Sequence, residues 1–191
     1  MIDEETQRRF ERLVLPHLDA AYNLARWLTR NDHDAEDVVQ DACVRAMRYF
    51  ASFRGEQARP WLLQIVRHTC YSWLQQNRPS EVNAPGDDGE AWAETPASSA
   101  DEPMTIALRN ADRALINRAI AALPTVFREV LVLRELEDLS YREIAHIADI
   151  PVGTVMSRLS RARSLMQLAL RPGARPQLRE VPRSTAQGSA K

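Results

Sequence analysis

From Leu18 onward apolar side chains return every three or four residues, the spacing of one face of a helix. Leu18, Ala21, Tyr22, Ala25 and Leu28 mark a first stripe, and Ala35, Val38, Val39, Ala42, Cys43, Ala46, Met47 and Phe50 mark a second, very regular one. A third helix is expected from about Pro60 to Arg78. It buries Trp61, Leu62, Ile65, Val66, Thr69 and Trp73 and leaves Gln64, Arg67, His68, Tyr71 and Gln75 to solvent. Three such amphipathic helices make one small bundle.

The periodicity then stops. Residues 79–103, PSEVNAPGDDGEAWAETPASSADEP, are rich in Pro, Ser, Ala, Asp and Glu and carry almost no large apolar side chains. Such a segment cannot bury enough surface to fold alone and reads as a linker. The chain is therefore expected to be all-α. Two small helical domains, residues 1–78 and 104–171, are joined by a flexible acidic linker, and the Arg-, Pro- and Ser-rich residues 172–191 form a disordered tail.

Near the end of the second domain, SYREIAHIADIPVGTVMSRLSRAR reads as two short helices around a tight turn. Ser140 and Glu143 form an S-x-x-E capping box, so a helix starts at about Tyr141, with Ile144, Ala145 and Ala148 on one face. Asp149 ends the apolar run, and Asp tolerates the left-handed backbone that a sharp turn requires. Pro151 has its angle pre-set for the first turn of the next helix. On that helix Val155, Leu159 and Ala162 form the buried stripe, and Thr154, Ser157, Arg158 and Arg161 face outward. Gly153 lets backbone approach a phosphate near the positive end of the helix dipole, and arginine grips guanine through paired hydrogen bonds. This is a helix-turn-helix suited to duplex DNA.

A formal net charge of −1 does not contradict that reading once the charges are located. Residues 1–78 carry 11 acidic and 11 basic side chains, residues 79–103 seven acidic and no basic, and residues 104–172 seven acidic and ten basic. The acidic middle cancels a basic third segment. No apolar run approaches the roughly 20 residues of a membrane span, and the charged start MIDEETQRRFERL has no signal-peptide core, which points to the cytoplasm and to no direct membrane insertion. Cys43 and Cys70 fall within apolar helical patterns without a Cys/His cluster, so reduced thiols and no metal or cofactor are expected.

Two faces of the first domain ask for partners. Asp34, Asp37 and Asp41, with Gln40 beside them, line one side of the second helix; the helix dipole accounts for the first two but not for Asp41. The segment FASFRGEQAR and the outer side of the third helix interleave aromatic and basic residues, a mixture that stacks bases and neutralises the phosphates of single strands. Trp61 and Trp73 fit a core equally well, and Gly55 fits a turn.

Taken in order, DAEDVVQDACVRAMR, FRGEQARPWLLQIVRHTCYSWL, an acidic linker and LPTVFREVLVLRELEDLSYREIAHIADIPVGTVMSRLSRAR resemble a bacterial sigma factor of the extracytoplasmic function (ECF) group, from about Phe10 to Leu170. The resemblance implies a non-catalytic subunit that binds core RNA polymerase and directs it to promoter DNA. It implies that Asp34, Asp37, Gln40 and Asp41 meet the clamp helices of the largest polymerase subunit. It places a flipped minus-ten base in the loop Ala51–Arg59, served by Phe53, Arg54, Arg67, His68 and Tyr71, and extrusion of that base must be compensated by such a pocket. Minus-thirty-five recognition falls to Arg142, Gly153, Thr154, Ser157, Arg158 and Arg161, and the acidic linker threads toward the active-site cleft and RNA exit channel, imitating nucleic acid. A dedicated anti-sigma factor is a further implied partner. The chain departs from the family at His68, where Asn is usual, at Ser72, where Asp is common, and at Ala148-Asp149 in place of Leu-Gly, so the minus-ten preference does not carry over. The competing reading is a stand-alone regulator that binds duplex operators as a dimer. An enzyme is disfavoured, because no nucleophile and base, metal cluster or Gly-rich phosphate loop stands at usable spacing.

Overall fold

The computed structural model describes residues 4–55, 57–80 and 103–171. Every regular element among them is helical. The expected acidic linker lies almost wholly outside the described residues, and the tail 172–191 entirely so.

The first domain has four helices: α1 (Glu4–Val14), α2 (Leu18–Thr29), α3 (Asp32–Tyr49) and α4 (Ala58–Asn77). The charged N-terminal segment hides α1, whose apolar face is reduced to Phe10 and Val14, both buried, with Leu13 half-buried beside them. A 3₁₀ turn, Leu15–His17, joins it to α2. Arg30 stops α2 in the left-handed conformation at φ 55, donating its backbone N–H to the Arg26 carbonyl, and Asn31 caps α3 by accepting from the Asp34 amide at 3.0 Å. The expected stripes shift by a residue in places. In α2, Leu24 and Trp27 are buried beside Ala21, Ala25 and Leu28, while Leu18 and Tyr22 are half-exposed. In α4, Leu63, Cys70 and Leu74 take core positions, and Trp61, Ile65 and Trp73 are only half-buried at its margin. Cys70 is a free thiol whose pKa burial pushes upward; Cys43 is free and half-buried.

The second domain comprises α5 (Pro103–Ala121), α6 (Thr125–Leu131), α7 (Tyr141–Ala148) and α8 (Val152–Ala169). A π-helical turn, Val132–Leu136, extends α6, and such turns are widenings that re-aim the residues after them. Here the widened turn closes with the Glu137 amide on the Val132 carbonyl at 3.1 Å. Ile144, Ile147, Val155 and Leu159 form the centre of the helix-turn-helix core; Ile147 takes the buried place expected of Ala145, which is half-exposed.

The two domains pack against each other: α4 lies along α7, and α2 meets α6. Arg128, 3% exposed, reaches across from α6 to donate to the Trp27 carbonyl at 3.2 Å while holding the Ala121 and Leu123 carbonyls at 2.9 and 2.7 Å.

Candidate nucleic-acid and polymerase interfaces

The helix-turn-helix is set by local chemistry. The Ser140 hydroxyl accepts from the Glu143 amide at 3.3 Å, and the Glu143 carboxylate accepts from the Ser140 amide and hydroxyl at 2.8 and 2.6 Å. These bonds satisfy donors a helix start leaves open and hold the Glu143 pKa below the ordinary range. Asp149 takes the left-handed turn at φ 52, ψ 51. Pro151 is the residue before the helix rather than its first member: its ψ of 147 is extended, and its carbonyl accepts from Thr154 and Val155 at 2.9 and 3.1 Å. The expected helix start therefore moves to Val152, with the proline ring fixing the entry angle.

On α8, Val155, Leu159 and Ala162 are buried as expected. Gly153, Ser157 and Arg161 are exposed, as is Arg142 on α7, and Thr154 is half-exposed. Beyond its chain neighbours and its own helix backbone, no heavy atom lies within 4 Å of where a Gly153 Cβ would stand, so the space beside it is open to a ligand. Ser157 spends its hydroxyl proton on the Thr154 carbonyl at 3.0 Å, which leaves its oxygen as an acceptor. Arg158 is half-buried rather than outward, and its charge reaches Glu129 and Tyr71. Arg163 pairs with Glu135 at 2.7 Å and ties α8 back to the π turn.

The acidic face of α3 forms one wall of a groove of about 230 Å³. Asp37, Gln40 and Asp41 line it on that side, and Thr69, Ser72 and Trp73 on the α4 side. Asp34 departs from the expectation: it is half-buried, with Arg78 at 3.5 Å, and so closes the domain rather than facing a partner freely.

The minus-ten candidates separate into exposed and covered groups. Arg54 and His68 are exposed, and Arg54 donates to the Ala51 carbonyl at 2.9 Å. Phe53 is buried, contrary to expectation. Its ring lies 4.7 Å from that of Trp61 and 5.9 Å from that of Phe50, an arrangement whose dispersion and desolvation gain outweighs exposure to water. Arg67 and Tyr71 also fail to face solvent. Arg67 Nε donates to Glu129 Oε1 at 2.5 Å, the Tyr71 hydroxyl donates to Glu129 Oε2 at 3.2 Å, and the guanidinium sits 4.6 Å from the centre of the Tyr71 ring. Full burial pushes the Glu129 carboxyl upward, an effect that Arg67 opposes by charge and hydrogen bond. Burial likewise raises the Tyr71 hydroxyl.

Glu129, Glu137 and Asn23 escaped the sequence reading. Glu137 accepts from Arg59 at 2.6 Å and from Asn23 at 2.5 Å. Glu129 carries a weak signal in the sequence, since it is the one acid of a short helix that also holds Val126, Phe127, Val130 and Leu131. Among the described residues no group of three or more His, Cys, Asp or Glu side chains is placed to hold a metal ion, and no helix is long and apolar enough to cross a membrane.

Two family descriptions match the chain in order: Sigma-70 region 2 over residues 13–79 and Sigma-70, region 4 over residues 113–166. The RNA polymerase sigma-H factor of Pseudomonas aeruginosa is 34% identical over 170 residues, covering 87% of this chain and 88% of that one. The ECF RNA polymerase sigma-E factor of Escherichia coli K12 is 34% identical over 176 residues, 90% of this chain and 91% of its own. Among solved structures, the sigma factor RpoE in complex with the anti-sigma factor NepR from Bartonella quintana superposes with a TM-score of 0.69 at 28% identity, covering 85% of this chain and 97% of that one. CnrH in complex with the cytosolic domain of CnrY superposes with a TM-score of 0.57 at 26% identity, covering 84% and 86%.

Proposed function

Because this chain belongs to the sigma-70 family, in its extracytoplasmic function group, we propose that residues 1–78 bind core RNA polymerase and the melted minus-ten strand while residues 104–171 read the minus-thirty-five duplex. The protein binds core RNA polymerase and directs initiation at particular promoters. The observation that carries the division of labour is the capped helix-turn-helix, whose second helix offers Ser157 and Arg161 to solvent beside the open backbone at Gly153.

In this reading Arg161 and Arg142 contact bases or phosphates of the duplex directly, with Thr154 and Ser157 as shorter-range partners and the half-buried Arg158 joining them once the domains part. Asp37, Gln40 and Asp41 offer the clamp helices an acidic edge, and Asp34 supports it through Arg78. Around the loop 51–59, Arg54 and His68 provide an exposed polar rim and Arg67 with Tyr71 a cationic and aromatic surface for the displaced strand. Phe53 builds the wall behind that loop instead of stacking on a base.

The chain itself catalyses no step and works in the cytoplasm, where core polymerase is. Both solved neighbours are complexes with a second protein, one of them an anti-sigma factor, and this supports a dedicated anti-sigma factor as the partner that controls this chain. Run-off transcription with core polymerase, with and without the protein, tests the reading. New starts that share two spaced upstream elements are expected; tight site-specific binding by the free protein with no new starts would establish a stand-alone regulator instead.

A further inference from the structure

Glu129 stands where the two DNA-reading helices converge. From α4 it receives Arg67 and Tyr71, which engage its two oxygens separately, and from α8 the charge of Arg158 reaches it. The Glu129 side chain is 0% exposed and that of Arg67 15%. A carboxylate held by a guanidinium and a phenol uses the donors that a phosphate or a base edge would use. Arg67 and Tyr71 of α4 are thereby withheld from nucleic acid by one residue of α6, while Ser157 and Arg161 of α8 stay exposed.

A second clasp lies beside it. Glu137, with its side chain 6% exposed, receives Arg59 from the end of the minus-ten loop and Asn23 from α2. Glu137 is the residue on which the π turn ends, its amide bonded to the Val132 carbonyl. Gln64 adds a bond to the His146 carbonyl at 3.2 Å. In contrast, the acidic edge at Asp37, Gln40 and Asp41 is exposed in the same closed chain. Closure therefore occupies Arg59, Arg67 and Tyr71, while Arg54 and His68 and the surface for polymerase stay open.

Resting on the assignment of Arg67 and Tyr71 to the melted strand, we propose that Glu129 and Glu137 are internal stand-ins for promoter DNA, a latch that keeps the free protein closed and is exchanged for nucleic acid once polymerase draws the domains apart. A buried ion pair suits such a latch better than an apolar contact. Its desolvation cost nearly offsets its attraction, so exchanging the pair for nucleic acid costs little beyond parting the apolar contacts that also join the domains, and the arginine released is at once a ligand for the displaced strand.

The test uses full-length protein, small-angle scattering for the spread of the domains, and a labelled single-stranded oligonucleotide of mixed sequence as the DNA probe. Glu129→Gln and, separately, Glu137→Gln are expected to enlarge the radius of gyration and to tighten oligonucleotide binding roughly tenfold, within the usual range of coupling between sites. Adding Arg67→Ala to either variant should remove the gain. Circular dichroism reports whether Glu129→Gln has unfolded the second domain, in which case the less buried Glu137→Gln decides. An unchanged radius in the folded variants overturns the latch, even if oligonucleotide binding tightens, because lost negative charge alone would then be the cause. An enlarged radius with no gain in binding, or a gain that survives Arg67→Ala, leaves the latch standing and overturns the assignment of Arg67 to the melted strand.

Discussion

Asp149 holds φ 52 and ψ 51, a left-handed backbone that costs an ordinary L-residue about 1 kcal/mol or more and that Asp adopts more readily than most. Asp149→Gly should therefore be neutral or slightly stabilising, whereas a β-branched Asp149→Val should cost about 1–2 kcal/mol in urea unfolding; equal stability of the two variants would remove strain as the reason for Asp here. Ser140→Ala removes the acceptor for the Glu143 amide and the hydroxyl bonded to the Glu143 carboxylate, and should cost about 1 kcal/mol. The same pair fixes a pH dependence. Glu143 has its pKa lowered in the folded state, so its contribution is complete above the unfolded value of about 4.3 and disappears as pH falls through the lower folded value. Comparing wild type with Glu143→Gln in acid unfolding should flatten that limb in the variant. Cap and turn were legible from the sequence because both depend on neighbours within three residues or on one residue's own backbone preference. Phe53 was not: alternating aromatic and basic residues describe a stacking surface and a turn wall equally well. The structure resolves this through Gly55, where an added Cβ would stand 2.9 Å from the Phe53 ring. Gly55→Ala should consequently disturb the loop without removing any polar group. Phe53→Ala should lower stability by roughly 3 kcal/mol, and thermal unfolding, rather than a DNA-binding defect in the folded protein, should reveal it.

For whole helices, legibility follows the contrast between their faces. The apolar stripes of α3 and α8 stand out against charged opposite faces, so their helical character could be read directly. Among the charged residues of the N-terminal segment, α1 buries Phe10 and Val14 and packs Leu13 at the margin of the core, too few for a periodicity to emerge. The π turn after α6 has no local signature in the sequence, and the residue that ends it, Glu137, finds its partner Arg59 in the other domain. These differences determine which surfaces mutation can test independently. On α8, Arg161 is exposed, so Arg161→Ala should lower initiation by roughly tenfold, the lower part of the range for one good base contact, while core binding is retained. Loss of both activities in parallel would refute a minus-thirty-five role. On α3, reversal of the exposed pair, Asp37→Arg with Asp41→Arg, should weaken core binding, with a difference from wild type that shrinks as salt is raised. A deficit that does not depend on salt would point to disrupted packing along the groove with α4 rather than to a lost charge contact.

Across the whole molecule, long-range polar contacts decide which functional side chains are accessible, and their partners are far apart in sequence. Arg67 and Glu129 are 62 residues apart, and Arg59 and Glu137 are 78 apart. Each residue alone reads as a solvated charge, and no helical period relates the members of a pair. The domain division could be seen in composition; the closure could not. Closure has a thermodynamic consequence that can be checked without locating any DNA contact. If the polymerase-bound form has its domains apart, the apparent affinity of the free protein for core is reduced by the fraction of molecules that are open. Glu137→Gln leaves the exposed acidic edge of α3 untouched, yet it should tighten equilibrium binding to core by the same factor by which it tightens binding to single-stranded DNA, since both ligands draw on the same open population. Unequal factors would show that core polymerase accepts the closed chain and that opening belongs to a later step, at the promoter. Equal factors would place the opening cost at assembly with core, where an anti-sigma factor that binds the closed form would compete most directly.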